Sequence, residues 1–263
     1  MRRSRVLERW RGGRPVRLCS MGHYIPAFVG LAARAGFDAI WIDMEHRLLT
    51  DREVQALCAY GHRADIDCMV RPRTTERARL YRYLEDGASG LMIPHVSTVE
   101  QARALVDACK FPPVGNRGLD GAGFDGDFYR HTTDAYVEWA LRETFLVVQI
   151  ETPQAVDAAE AIAAVEGVDG LFIGTADLSL RIARTPGGDR WSLETAIEAV
   201  ASAAARHGKA WGLPAATEAD LRRFAEMGAR LIAFGNDFVA LQEMLRKAGH
   251  TLARVYGDAA GEG

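Results

Sequence analysis

The polar residues able to do chemistry in this 263-residue chain follow short apolar runs. Trp41-Ile42 leads into Asp43-Met44-Glu45-His46, Met69-Val70 into Arg71-Pro72, and Ile93-Pro94 into His95. Val148-Gln149-Ile150 leads into Glu151-Thr152, and Phe172-Ile173-Gly174-Thr175-Ala176 into Asp177-Leu178-Ser179. One carboxylate in such a place reads equally well as a helix N-cap. Two of them, Glu151 and Asp177, on neighbouring strand ends beside an arginine and a histidine, suit a hard divalent ion. Mg²⁺ or Mn²⁺, with Co²⁺ also admissible, would complete its octahedron with waters and substrate oxygens, and zinc is less favoured. Gly174-Thr175-Ala176 precedes an expected helix start, where free N–H groups and the positive dipole end receive an anion such as a carboxylate. A metal beside an anion pocket describes a chelated 2-oxo acid.

Arg71 alone reads as an ordinary strand-end arginine paired to a carboxylate. Beside the acidic pair it becomes the neutraliser of enolate charge, because its guanidinium stays protonated and is aimed in advance. His46, three residues after Asp43, has an orienting carboxylate within reach and a pKa suited to proton transfer near neutrality. His23, His62, His131, His207 and His250 read as surface or packing residues, and His95 stays open between the two.

These residues need a frame, and the apolar runs supply it. Val16 to Ser20, Ala39 to Asp43, Cys68 to Arg71, Gly90 to Ile93, Phe145 to Ile150, Gly170 to Gly174, Lys209 to Leu213 and Leu231 to Phe234 read as buried strands. Between them lie helical patterns such as Glu53 to His62, Val99 to Cys109, Ala155 to Val165, Leu193 to His207 and Glu218 to Met227, several opened by Asp, Ser or Thr. Eight strands alternating with helices predict an α/β fold, a single-domain (β/α)₈ TIM barrel over residues 1–256 with a frayed tail at 257–263. A doubly wound open sheet would want a Gly-rich turn after its first strand, and none is present there. The stretch Phe111 to Tyr129, placed after strand four, reads as a lid, a binding loop or a solvated insertion.

Bulk composition narrows the partners. With 48% hydrophobic residues and a formal net charge of −3, nothing marks a nucleic-acid surface or an anionic membrane, and small polar ligands are expected. Four cysteines without metal spacing, no secretory h-region and no long apolar run point to a cytoplasmic protein. A Schiff-base aldolase would need a buried lysine at a strand's carboxyl end. The three lysines follow a helix (Lys110), open strand seven at the other face (Lys209) or lie in the last helix (Lys247).

The segments Gly36-Phe37-Asp38 through Asp43-Met44-Glu45-His46, Val70-Arg71-Pro72, Gly115-Asn116-Arg117-Gly118, Gln149-Ile150-Glu151-Thr152 and Gly167 through Ser179 resemble the HpcH/HpaI aldolase/citrate lyase family, in order along nearly the whole chain. The resemblance is nearest to its 4-hydroxy-2-oxoheptanedioate aldolases and related sugar-acid aldolases. It implies a metal-dependent class II aldolase that makes or cleaves 2-oxo acid aldols through a pyruvate-type enolate, with Glu151 and Asp177 as metal ligands. It further implies that Arg71 faces the enolate oxygen, that Asp43 and His46 act as a proton-handling pair, and that Gln149 lies in or beside the metal shell. Substrate contacts are expected from Arg71, Gln149, Gly174, Thr175, Ala176, Asp177 and Leu213, and a homo-oligomer is expected with active sites near subunit boundaries.

Leu18-Cys19-Ser20, Gly174-Thr175 and His95 depart from the family pattern, as do Leu119 to Arg130 and Arg181 to Arg190, taken as acceptor-side and lid regions. The acceptor, an aldehyde or another electrophile, is therefore left open. A decarboxylase or carbon–carbon-forming enzyme of specialised metabolism using the same enolate is one alternative. A citryl-CoA or malyl-CoA type lyase docking on Arg181, Arg184 and Arg190 is another.

Overall fold

Each of the eight apolar runs is a parallel strand of one closed barrel in a computed structural model that describes residues 1–257. The strands are β1 Val16–Met21, β2 Ala39–Asp43, β3 Asp67–Arg71, β4 Gly90–Ile93, β5 Phe145–Ile150, β6 Gly170–Ile173, β7 Ala210–Pro214 and β8 Leu231–Asn236. They pair in chain order, and β8 closes on β1 with a register shift between Leu18 and Ser20. The helices are α1 Arg5–Arg11, α2 Pro26–Arg34, α3 Asp51–Ala64, α4 Arg77–Glu85, α5 Val99–Cys109 and α6 Thr133–Glu143. They continue with α7 Pro153–Asp157, α8 Ala159–Ala163, α9 Thr175–Arg184, α10 Leu193–Arg206, α11 Glu218–Glu226 and α12 Asp237–Tyr256. The single helix expected over Ala155 to Val165 is thus two short ones meeting at Ala158, a break that no glycine or proline in that stretch explains.

Strand alternation sorts the apolar side chains into two layers. Leu18, Ala39, Met69, Met92, Phe145 and Phe172 fill the barrel interior, while Ile40, Ile42, Val70, Leu91, Val148 and Leu171 pack outward beneath the helices. The basic amino-terminal segment, read from sequence only as lacking a signal, has a structural role. Val6, Leu7 and Trp10 of α1 join the interior cluster, with Trp10 edge-on to Phe145 at 5.6 Å. The fully buried Asp67 ties the helix down, accepting hydrogen bonds from Ser4 Oγ (2.6 Å) and the Val6 N–H (2.9 Å) and pairing with Arg2. α1 therefore plugs the amino-terminal end of the barrel and leaves the carboxyl end open.

One expectation needs correcting at this level. The stretch 111–130 follows α5 rather than β4, so it emerges where a helix has already returned the chain to the amino-terminal face. There the Asp125 N–H donates to the Glu85 carbonyl at 3.2 Å, Phe124 meets His62 edge-on at 4.6 Å, and Arg117 is buried against Asp125 at 2.7 Å. It braces the floor of the barrel and is no lid. The last helix also differs from its counterparts. Along α12 only Asp237 is buried, while Phe238, Met244, Leu245 and Leu252 are exposed. Outside β8 a cavity of about 370 Å³, lined by Phe37, Leu221, Ala225, Ile232 and Phe234, lies open in the helix ring. Gly257 closes α12 in a left-handed conformation; the rest of the expected tail lies outside the described residues.

Candidate active site

The carboxyl ends of β2 to β6 deliver the expected polar residues to one mouth. Asp43 ends β2 opposite Arg71, which ends β3. The two form a forked ion pair, Nε to Oδ1 at 3.0 Å and Nη2 to Oδ2 at 2.9 Å. The guanidinium lies over Trp41, 4.5 Å from its ring centroid, and Trp41 rests edge-on against Phe172 at 5.5 Å. Nη1 points toward Gln149 Oε1 at 3.4 Å and lies 3.0 Å from Glu45 Oε2. The Glu45 contact is one of charge only, since that oxygen accepts no directed hydrogen bond. Fork, ring and neighbouring carboxylates together fix the plane of Arg71 before any substrate arrives.

Glu45 is the residue that the sequence reading passed over. It stands in the turn directly after β2, one more carboxylate at a strand's carboxyl end, which is the signal that would have found it. His95, left open from sequence, lies between carboxylates: its Nδ1 is 2.7 Å from Glu151 Oε1 and its Nε2 is 2.8 Å from Glu45 Oε1. The backbone turns through a left-handed conformation there (φ 59°), uncommon without glycine, and the His95 N–H donates to the same Glu151 oxygen at 2.6 Å.

The expected pairing of the His46 ring with Asp43 does not form. Asp43 Oδ1 instead accepts the backbone N–H groups of Glu45 (3.0 Å) and His46 (3.3 Å), shaping the turn, while the half-exposed His46 ring lies 3.6 Å from Glu45. Arg71 has taken the Asp43 carboxylate that the histidine was to use. Leu213 is also displaced from its expected role. Its side chain is fully buried in the layer beneath the helices, so it presents no surface to a ligand in the mouth.

Glu151 is buried at the end of β5, and a Cβ on Gly174 would fall 2.6 Å from its Oε2, so only glycine leaves the carboxylate its place. Burial pushes the Glu151 carboxyl above the ordinary range. His95 opposes this through its N–H and its ring, and the charges of Glu45 and Asp177 push the same way as burial. Asp177 stands in the first turn of α9, whose N-cap Gly174 offers no side-chain cap to the leading N–H groups of Thr175, Ala176 and Asp177. Arg181, one turn on, braces both acidic residues, donating to the Glu151 carbonyl at 2.8 Å and pairing with Asp177 at 3.2 Å.

Among the described residues, no three His, Cys, Asp or Glu side chains are arranged to hold a metal ion by themselves. The donor set nevertheless fits a hard divalent ion that keeps open positions. Asp43, Glu45, Glu151 and Asp177 crowd four carboxylates into a mouth with two guanidiniums, and the two oxygen ligands leave room for water and substrate.

The three lysines stay away from this mouth. The Lys110 amine bonds the Thr144 carbonyl and Asp169 at 2.8 Å, both before their strands begin, Lys209 precedes β7, and Lys247 lies along α12. Imine chemistry has no amine here.

Comparison with known proteins agrees with this geometry. Residues 23–243 match the model of the family described as HpcH/HpaI aldolase/citrate lyase. A hydroxypyruvate/pyruvate aldolase from Deinococcus radiodurans is 35% identical over 251 residues, 94% of this chain and 87% of the relative. A 5-keto-4-deoxy-D-glucarate aldolase from Klebsiella pneumoniae is 33% identical over 215 residues, 81% of this chain and 82% of the relative. The crystal structure of an HpcH/HpaI aldolase from Desulfitobacterium hafniense superposes with a TM-score of 0.85 at 32% identity, covering 94% of this chain and 95% of the other.

Proposed function

The chain belongs to the HpcH/HpaI aldolase/citrate lyase family and is a carbon–carbon lyase of the aldolase type, and from that footing we propose that it cleaves or forms 4-hydroxy-2-oxo acids through a pyruvate-type enolate, with a divalent ion held by Glu151 and Asp177. The observation that carries this reading is the pre-aimed Arg71, locked by Asp43 and Trp41 beside the crowded carboxylates. Mg²⁺ or Mn²⁺, when bound, supplies a Lewis acid for the keto and carboxylate oxygens of a 2-oxo acid.

The protein's own groups do the rest. The uncapped N–H groups of Thr175, Ala176 and Asp177 orient the substrate carboxylate. Arg71, with Gln149 beside it, stabilises charge on the former carbonyl oxygen as the C3–C4 bond electrons move toward C3. A base takes the C4 hydroxyl proton as that bond breaks, and the enolate then takes a proton at C3 to leave as pyruvate. His46, exposed at the mouth with the Glu45 carboxylate 3.6 Å from its ring, is our proton carrier, with Asp43 positioning the turn that presents it. The test is pyruvate release from a 4-hydroxy-2-oxo acid before and after chelation, with add-back of Mg²⁺, Mn²⁺ or Co²⁺. We expect loss and recovery, and full turnover by the chelated protein would overturn the metal assignment.

The site gives less support to an acyl-CoA lyase. Arg181 is spent on Asp177 and Glu151, and Arg190 is paired with Asp157, so two of the three arginines expected to dock a phosphorylated arm are engaged within the chain. The proposal extends to self-association. The exposed apolar side chains of α12 and the open apolar cavity outside β8 are surfaces that one chain leaves uncovered and a second copy would cover. We place the enzyme in the cytoplasm, consistent with four buried free cysteines; no helix among the described residues is long and apolar enough to cross a membrane.

A further inference from the structure

A cavity of about 810 Å³ opens from the active-site mouth and runs outward between α4 and α5. Its inner end is Glu45 and His95, two members of the charged cluster described above. Its walls are made by the turns after β3 and β4, with Pro72 on one side and Pro94 and Val96 on the other. The space exists because α5 presents small side chains: Ala104 and Ala108, one helical turn apart, line it where larger residues would close it.

Most of its polar lining is already committed. Arg77 is paired with Asp107 and bonded to the Asn116 carbonyl, Gln101 accepts from the N–H groups of Ser97 and Thr98, and the Thr74 hydroxyl accepts from the Glu76 N–H. Arg73 is different. Its guanidinium reaches the Leu49 carbonyl with one nitrogen and approaches Asp51 only at 3.9 Å, so it keeps donors for a ligand. The groove thus has an apolar middle, one arginine in its lining with donors to spare, and the reaction centre at its inner end.

Cavities of this size enclose ligands far larger than a three-carbon aldehyde. Resting on the aldolase reading above, we propose that this groove is the binding site for the arm of the electrophilic partner, and that the natural substrate carries on C4 an extended, largely apolar chain ending in an anionic or hydrogen-bond-accepting group that meets Arg73. His95, at the junction, stands where C4 and its oxygen enter the groove.

The experiment compares retro-aldol cleavage of three 4-hydroxy-2-oxo acids. One carries only a methyl group on C4, one a long alkyl arm, and one the same arm ending in a carboxylate. Solvent exchange at C3 of pyruvate is measured in parallel, because it needs no arm. For the native protein kcat/KM should rise with the arm and again with its carboxylate. Ala104→Trp, which fills the groove from an exposed helical position, should cut kcat/KM for both long substrates by about tenfold or more, the scale of a misfitted apolar pocket. It should leave the methyl substrate and pyruvate exchange within about twofold, since the active site itself is untouched. Arg73→Ala should cost only the carboxylate-ended substrate. If both variants leave the ratio of long to short substrates unchanged, the groove holds no arm and the proposal fails. If Ala104→Trp instead changes only the sedimentation coefficient, the groove is a subunit contact and the proposal equally fails. Absence of pyruvate exchange in the native protein is a separate result, which overturns the enolate reading itself.

Discussion

Arg71 and Asp43 are joined by two parallel contacts of 3.0 and 2.9 Å, and the tryptophan beneath the guanidinium keeps that fork from rotating. An arginine so fixed is costly to replace even by another cation. Arg71→Lys keeps the charge but loses the plane, the fork and the reach. We expect kcat for 4-hydroxy-2-oxo acid cleavage to fall by about 10² or more with a much smaller change in substrate affinity, as for loss of an oxyanion donor. Steady-state kinetics with an equilibrium binding measurement separate the two. A variant that binds far more weakly yet turns over at the native rate would make Arg71 a binding residue.

Glu151→Gln and Asp177→Asn should each abolish calorimetric binding of Mn²⁺ and Mg²⁺ while leaving the apo-protein melting temperature nearly unchanged, because both changes remove charge from a mouth that already holds excess negative charge. Retention of native metal affinity in either variant would remove that residue from the ligand set.

The histidines are distinguishable by kinetics. His46→Ala should slow aldol cleavage by about 10² to 10⁴, the usual scale of lost general acid–base catalysis, without loss of metal affinity. His95→Ala should instead disturb metal binding, since both ring nitrogens lie against carboxylates of the site and its N–H holds Glu151. Equal and small effects from both variants would show that neither ring moves a proton.

The barrel plug gives a stability test away from chemistry. Asp67→Ala leaves the buried Val6 N–H and the Ser4 hydroxyl without their acceptor and takes from Arg2 one of its two carboxylate partners. We expect a loss of roughly 3 kcal/mol in chemical denaturation, with kcat/KM at permissive temperature unchanged. A change below about 0.5 kcal/mol, the level of an ordinary surface substitution, would show that α1 is not held through Asp67.

Sedimentation tests the exposed last helix. The native chain should run as an oligomer, and Leu245→Asp with Leu252→Asp, both on exposed positions of α12, should shift it toward monomer. A monomeric native protein at micromolar concentration would contradict self-association.

The strands were legible because a barrel strand buried on both faces must be a short apolar run, so Ala39–Asp43, Gly90–Ile93 and Phe145–Ile150 are bounded as expected. Strand ends then located Asp43, Arg71, Glu151 and Asp177 without any knowledge of contacts. What failed was pairing. Proximity in sequence suggested that His46 would take Asp43, but the β2–β3 register sets Asp43 opposite Arg71, a longer side chain with a fixed charge. Leu213 was expected among the substrate contacts, yet which face a strand residue presents depends on barrel registers that no short run reveals. The 111–130 stretch was misplaced because the helix before it, though recognised, was not used to decide which end of the barrel the chain had reached.

The central claim is that this mouth turns a 2-oxo acid into its enolate with the help of a divalent ion, and exchange of the pyruvate methyl hydrogens in D₂O, followed by proton NMR, measures that event with no acceptor present. The account predicts exchange that requires Mg²⁺, Mn²⁺ or Co²⁺, disappears on chelation and in Glu151→Gln, and is strongly slowed in Arg71→Lys. Exchange that proceeds at the native rate in chelated protein, or that is absent from native protein with every one of these ions, would contradict it.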